Sequence, residues 1–194
     1  MSSSSLKIPP YQNLEELITA WKADPKKIAW TGGGSFDRLV SAELAMEAGI
    51  SPADMIYVNS DGGGEAMQSL LNGTTQAAAS GYADTIDQIE SGNVRALTIV
   101  AQEPLDGVDI PTTVEQGYDV TLANWRLLVA PGGISEEDRQ ELMKVIDETL
   151  ATPEWKKAVK NYHWKENYIA GEELNRFLAD QKETISKIYE ELGL

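Results

Sequence analysis

The sequence predicts an α/β protein built on a parallel sheet, and three observations carry that prediction. Short apolar stretches alternate with segments of helical periodicity through the first half of the chain. Glycine-rich turns over residues 32–34 and 62–64 follow two of the apolar stretches. Residues 94–100 are almost continuously apolar, which is typical of a strand buried on both faces of a parallel sheet.

The elements follow in order from capping and turn signals. A first helix is predicted between the capping pair Asn13 and Glu16 and the break at residues 24–25. Its apolar face consists of Leu14, Leu17, Ile18 and Trp21. Strands are predicted over residues 28–31, 55–59, 76–79 and 94–100, and the intervening helices begin near Ser35, Ala66 and Ala83 and end at Gly49, Gly73 and Gly92.

The second half of the chain predicts one strand and three helices. Residues 102–119 have the composition of a loop, and residues 124–130 are predicted to form a strand. Ser135 with Asp138 caps one helix, and Pro153 opens the next. The apolar stripe of the last helix comprises Leu174, Phe177, Leu178, Gln181, Ile185, Ile188 and Leu192.

Composition excludes several classes of function. Sixteen basic residues against thirty-one acidic ones give a formal charge of -15, which disfavours nucleic acid and anionic membrane surfaces as partners. The chain has no cysteine and one histidine, His163, so no metal site and no thiol chemistry are expected. Asp84 and Asp87 are interpreted as helix-capping residues. No catalytic motif is present, and we expect no enzyme activity and no cofactor.

The first glycine turn has two interpretations that the residues leave open. The backbone N–H groups ahead of the following helix can cradle a carboxylate or phosphate, or the segment is a tight turn with Ser35 as the helix N-cap. The second turn has the same pattern, and turns after parallel strands share one sheet edge. Trp125 and Arg126 offer an aromatic ring and a guanidinium that could clamp a carboxylate, although a surface ion pair fits them equally well.

The sequence resembles the solute-binding receptors of tripartite tricarboxylate transporters, the Bug-type receptors. Segments at residues 32–37, 57–66, 79–81, 89–97, 109–117, 124–126 and 130–134 carry this resemblance in order. It implies a periplasmic binding protein fold of type II. Residues 11–122 would be the second lobe and residues 123–194 the crossover strand and C-terminal helices of the first, after a disordered tail over residues 1–10.

The resemblance also implies a function and a site. The expected protein is a periplasmic receptor that reversibly binds a small organic acid, such as a dicarboxylate or tricarboxylate, and delivers it to the membrane subunits of a transporter. The expected contacts are Gly33, Gly34, Ser35 and Asp37 in the first turn, Ser60, Gly62 and Gly63 in the second, Ser80 and Gly81 in the third, and Trp125 and Arg126 where the chain crosses between lobes.

Members of that family are longer than this chain at the N-terminal end. We therefore hypothesise a truncated receptor, or half of a split one, whose last helices lack a covering surface and which self-associates. Two other classes of function are alternatives. One is a cytosolic effector-sensing or regulatory module of the same fold, and the other is a hydrolase that uses carboxylates alone.

Overall fold

The computed structural model describes residues 11–194. They form two compact units, one consisting of the chain up to Ala123 together with Ile169–Leu194, and the other of Asn124–Tyr168. The tail expected over residues 1–10 lies outside the described residues. The assignment of residues 11–122 and 123–194 to different lobes stays a prediction.

Helix α1 (Leu14–Ala23) opens the first unit and forms as its capping residues predict. The Asn13 side chain accepts a hydrogen bond from the Glu16 N–H at 2.9 Å, and the Glu16 carboxylate accepts one from the Gln12 N–H at 2.8 Å. These bonds satisfy backbone donors that a helix start leaves unpaired. The predicted apolar face is buried. A 3₁₀ turn, Pro25–Lys27, then leads into the sheet.

A three-stranded parallel sheet carries the rest of the first unit. Its strands are β1 (Ala29–Gly32), β2 (Ile56–Asn59) and β3 (Ala77–Ala78), in the order β2-β1-β3. The crossover between β1 and β2 contains helix α2 (Ser35–Glu47) and a 3₁₀ turn, Pro52–Asp54. Helix α3 (Gly63–Leu71) leads to β3, and α4 (Tyr82–Glu90) follows β3. The predicted α/β class and parallel sheet are therefore confirmed.

Two apolar clusters stabilise this unit. In the first, the buried face of α1 packs beneath the sheet, and the rings of Trp21 and Trp30 lie with centroids 4.8 Å apart. In the second, α2 contributes Leu39, Val40 and Ala42. Both clusters exclude water from the sheet and hold the crossover helices against it.

The strand predicted over residues 94–100 is wrong. Ile99 makes only an isolated parallel bridge with Thr112, and Val94 is the one residue of the stretch that is buried. The Ile99 N–H donates to Pro111 O at 3.0 Å, and Ile99 O accepts from the Thr113 N–H at 2.9 Å. The stretch is therefore held by the following loop instead of by the sheet.

The strand predicted over residues 124–130 is also wrong. This segment is extended but pairs with no strand in the described part of the chain. Leu128 is 74% exposed and Val129 is 83% exposed. An apolar run is buried only where another strand or helix covers it. Within the described chain, nothing covers Leu128 and Val129 in this way.

The second unit contains α5 (Glu136–Leu150) and α6 (Pro153–Asn161), both starting where their capping residues predict. The Ser135 hydroxyl accepts from the Asp138 N–H at 3.0 Å, and the Thr152 hydroxyl accepts from the Trp155 N–H at 3.2 Å. His163 follows α6 with a left-handed φ of 51°. This residue reverses the chain at the end of the helix.

Helix α7 (Gly171–Glu191) returns to the first unit. Ile188 and the following Leu192 are buried against Leu39, Val40 and Leu122, so α7 covers α2. The earlier residues of its predicted stripe are half-buried. Among residues 11–194, none of the helices has the length and apolar character needed to cross a membrane.

Candidate ligand-binding site

The candidate site lies at the carboxyl edge of the sheet in the first unit. Because β1, β2 and β3 are parallel, the turns that follow them reach the same edge. Each turn leads directly into the N-terminus of a helix, α2, α3 or α4. Six of the predicted site residues lie in these turns: Gly33, Gly34, Ser60, Gly62, Ser80 and Gly81. Ser35 and Gly63 are the first residues of α2 and α3, and Asp37 lies in the first turn of α2.

The first turn presents unpaired backbone donors. Gly34 is the N-cap of α2, and it has no side chain to accept from the first N–H groups of the helix. The expectation that Ser35 is the N-cap is therefore wrong, since Ser35 is the first helical residue. The Asp37 carboxylate accepts a hydrogen bond from the Gly33 N–H at 2.7 Å. Asp37 thus holds the shape of the turn.

The second turn repeats this arrangement. Gly62 is the N-cap of α3 and again provides no side-chain acceptor. The Glu65 carboxylate accepts from the Asp61 N–H at 2.7 Å, four residues earlier, as Asp37 does for Gly33. In both turns, a carboxylate from the following helix accepts a hydrogen bond from a backbone N–H of the turn. The first N–H groups of that helix have no side-chain cap.

The two turns touch each other at Gly33. A Cβ atom at this position would collide with the backbone nitrogen of Gly63 and lie 2.9 Å from the carbonyl carbon of Gly62. Beneath them, the fully buried Thr31 hydroxyl donates to Val58 O at 2.9 Å and lies 3.0 Å from the Ser60 hydroxyl oxygen. The sheet therefore fixes the spacing of the first two turns.

The third turn is tied to the first strand. The Ala79 N–H donates to Thr31 O at 3.1 Å, just before Ser80 and Gly81. Gly81 O accepts from the Asp84 N–H at 3.1 Å and from the Thr85 hydroxyl at 3.2 Å. These bonds place the start of α4 beside β1.

A cavity of about 220 Å³ opens between the first two turns and the end of α7. Its volume suits a ligand smaller than the drug-sized molecules that fill pockets of about 300–1,000 Å³. Three predicted site residues line it, Gly34, Ser35 and Ser60. The other lining residues are Gly32, Arg38, Leu39, Tyr57, Asn59, Tyr189, Leu192 and Leu194.

A second cavity, of about 510 Å³, lies between α3 and α4. Gly63 is the one predicted site residue in its wall. Its remaining lining residues are Gly64, Met67, Gln68, Leu71, Asp84 and Gln88. It therefore lacks a cationic side chain, unlike the smaller cavity.

Burial shifts the ionisation of two groups near the smaller cavity. Burial raises the pKa of Tyr57 to about 12; the charge of Asp37 also raises it, and Arg38 opposes the shift. Burial also raises the pKa of Asp37, with the Gly33 hydrogen bond opposing the shift and the charge of Asp84 adding to it. Arg38 stands over the Tyr57 ring, with its guanidinium carbon 5.7 Å from the ring centroid.

Trp125 and Arg126 belong to the other compact unit, Asn124–Tyr168. The Arg126 guanidinium donates to the side chain of Asn124 and, at 3.3 Å each, to the backbone oxygens of Asn124 and Trp125. Within the described residues, no group of three or more potential metal-ligating side chains is found.

Arg38, Tyr57 and Asn59 line the smaller cavity but were not among the predicted site residues. Arg38 is three residues after Ser35, a spacing that places two side chains on one face of a helix. A predicted site that continued from Ser35 through one turn of α2 would have included Arg38. Tyr57 carries no comparable local signal, because it reaches α2 only through the pairing of β2 with β1.

A parallel α/β sheet with open glycine turns at its carboxyl edge defines a class of proteins that bind small molecules there. The chain belongs to the family described as tripartite tricarboxylate transporter family receptor, which it matches over residues 5–194.

Several known proteins resemble this chain in sequence or in fold. Protein BugT of Bordetella pertussis is 29% identical over 142 residues, 71% of this chain and 43% of BugT. A TctC solute binding protein from Polaromonas, solved without ligand, shares the fold with a TM-score of 0.76 and 20% identity, over 94% of this chain and 63% of that one. R. palustris Rpa4515, solved with adipate, shares the fold with a TM-score of 0.77 and 15% identity, over 97% of this chain and 63% of that one. The chain spans about half the length of the curated relatives it matches, 43% and 58% of them.

Proposed function

We propose that this chain is a solute-binding receptor of a tripartite tricarboxylate-type transporter and that it binds a small organic carboxylate reversibly. The observation that carries the proposal is the meeting of two glycine turns at one sheet edge, each opening a helix whose first N–H groups have no side-chain cap. Such donors and the aligned helix dipole stabilise an anion.

The donors in this site explain how an acidic protein binds an anion. The formal charge of -15 opposes the long-range approach of a carboxylate. At short range, the N-terminus of α2 and the hydroxyl group of Ser35 offer hydrogen bonds at the smaller cavity. In the proposed complex, Asp37 positions the first turn by holding the Gly33 N–H and does not touch the ligand.

The ligand class is supported by the family and by one structural neighbour. Rpa4515 was solved with adipate, a dicarboxylate, and shares this fold. We expect a ligand of similar chemistry here, bound without covalent chemistry or a cofactor. Delivery to membrane subunits in the periplasm completes the proposed role. Trp125, Arg126, Ser80 and Gly81 remain proposed contacts.

Calorimetric titration tests this proposal. The purified chain is titrated with acetate, adipate and citrate, and its thermal melt is recorded with each acid. We expect selective binding of at least one dicarboxylate or tricarboxylate. A ligand at 100 times its Kd should stabilise the fold by about 2.7 kcal/mol. The absence of binding to every acid would contradict the proposal.

Two variants locate the site. Ser35→Ala removes a hydroxyl donor at the cavity and should weaken binding about three- to tenfold, whereas Ser60→Ala removes a hydroxyl that donates to Thr31 and should change the affinity by less than about threefold. Thr31 keeps its bond to Val58 O when Ser60 is replaced, so we expect the fold to persist. Ser186→Ala, on the exposed face of α7, is the matched control and should leave the affinity unchanged.

A further inference from the structure

The smaller cavity contains a pair of donors that the family resemblance does not identify. We infer that Arg38 and Tyr57 together bind one carboxylate group of the ligand, and that this pair makes affinity depend on the ligand's negative charge. The inference rests on the proposed function and adds to it the residues that recognise charge. Both side chains line the cavity, beside the N-terminus of α2.

Two donor atoms at the cavity lack a hydrogen-bond partner. The Tyr57 hydroxyl oxygen and Arg38 Nε are both buried, and neither has a hydrogen-bond partner among the residues that the structure describes. Buried polar atoms in native proteins nearly always have a partner, because an unpaired one destabilises the fold by about 1–3 kcal/mol. Of the five such atoms found among the described residues, these two are the ones that lie at the smaller cavity.

Arg38 also brings a positive charge to the cavity. Arg38 takes part in none of the ion pairs found in the described part of the chain. The nearest acid on its own helix turn, Asp37, accepts from the Gly33 N–H. The Arg38 guanidinium lies at the wall of the cavity, where an anionic ligand can pair with it. Its planar fork matches the two oxygens of a carboxylate.

Both side chains are hydrogen-bond donors. Burial raises the pKa of Tyr57 to about 12, so its hydroxyl group keeps its proton at neutral pH and can donate. Arginine donates and does not accept. An ionised carboxylate only accepts, so its two oxygens can take hydrogen bonds from both side chains.

The rest of the cavity wall suits an apolar part of the ligand. Leu39, Leu192 and Leu194 line the same cavity and present aliphatic surface. A methylene chain can lie against this surface while the carboxylate meets Arg38. An aliphatic dicarboxylate such as adipate therefore combines both features of the cavity.

A charge series tests the inference. Adipate, its monoamide and the neutral diamide are titrated by calorimetry into the wild-type chain and into Arg38→Gln. Loss of the charged hydrogen bonds should weaken adipate binding about 10- to 100-fold and leave any affinity for the diamide within twofold. Arg38→Lys keeps the charge without the fork and should retain part of the affinity. Tyr57→Phe keeps the ring under Arg38 and should weaken adipate binding about three- to tenfold.

The control and the outcomes separate this inference from the proposed function. Arg139→Gln removes an exposed arginine paired with Glu136 in the other unit and should change neither affinity. If the wild-type chain binds no carboxylate, the proposed function and this inference both fail. If it binds adipate and Arg38→Gln binds it equally well, only the inference fails. An equal loss for adipate and diamide would show a structural role for Arg38 and would also overturn the inference.

Discussion

At the scale of single residues, the shape of the site depends on two glycines, which have no side chain, and on two hydroxyl groups. Gly33 allows two turns to touch, and Gly34 leaves the first donors of α2 uncapped. Thr31 and Ser60 join the strands beneath them by hydroxyl groups 3.0 Å apart. The two turns can therefore bring their backbones into contact at one edge of the sheet.

Gly33→Ala should destabilise the chain by about 1–3 kcal/mol, since its methyl group would push the first turn away from Gly62 and Gly63. Urea unfolding followed by circular dichroism measures the change. Gly64→Ala is the matched control. A Cβ at Gly64 meets nothing within 4 Å, and α3 should gain up to about 1 kcal/mol from the better helix former. Equal stability of Gly33→Ala and the wild type would contradict the close contact.

At the scale of elements, α7 connects the end of the chain to the ligand-binding edge. Ile188 and Leu192 pack against α2, while Tyr189 and Leu192 line the cavity. The same helical turn therefore contributes to the core and to the candidate site. Its contact with α2 keeps the N-terminus of α2 in place.

Ile188→Ala should lower the free energy of unfolding by about 2–5 kcal/mol, because Ile188 is only 2% exposed and the neighbouring side chains cannot fill the space. Chemical denaturation gives the value. Val145→Ala on α5, where the side chain is 55% exposed, is the control and should change stability by less than about 0.5 kcal/mol. Similar effects of the two substitutions would mean that α7 does not pack as described.

At the scale of the whole molecule, acidic charge opposes folding as the pH rises. The chain carries a formal charge of -15, and like charges repel in the compact state. Burial raises the pKa of Asp37 and of Glu43, and for Glu43 the Leu122 N–H opposes the shift. Both groups therefore bind a proton more tightly in the folded chain than in the unfolded chain.

The sign of the pH effect follows from these shifts. A raised pKa means that the folded state binds the proton more tightly, so stability falls as the pH rises above about 4 towards the folded-state pKa. Asp37→Asn should reduce this fall, and its amide oxygen can still accept from the Gly33 N–H. Urea midpoints measured from about pH 4 to pH 7 test the effect.

Asp180→Asn removes an equal charge from the exposed face of α7 and serves as the control for this pH series. Its pH profile should parallel that of the wild type. A wild-type stability that rises over the same range, or an Asp37→Asn profile with the wild-type slope, would contradict the prediction.

Local signals predicted most of the elements. Asn13 and Glu16 start α1, Ser135 starts α5 and Pro153 starts α6, as their residue types require. Such signals act over a few residues, so the sequence alone suffices to find them. They also predicted the glycine turns that the candidate site contains.

Local signals could not predict contacts between residues that are distant in sequence. Residues 94–100 and 124–130 have the apolar character of strands, yet strand formation depends on a partner elsewhere in the chain. Arg38 and Tyr57 are nineteen positions apart, and their ring contact follows from the position of α2 over β2. No periodicity in either segment could indicate that contact.

The sequence by itself determined the α/β class, the turns that follow the strands and the family to which the chain belongs. Each of these depends on short-range backbone preferences or on motifs in fixed order. Only the tertiary structure decided which turns touch, which apolar stretch enters the sheet and which cation faces the cavity. Those properties depend on groups distant in sequence meeting in space, and the pairing of parallel strands brings them together.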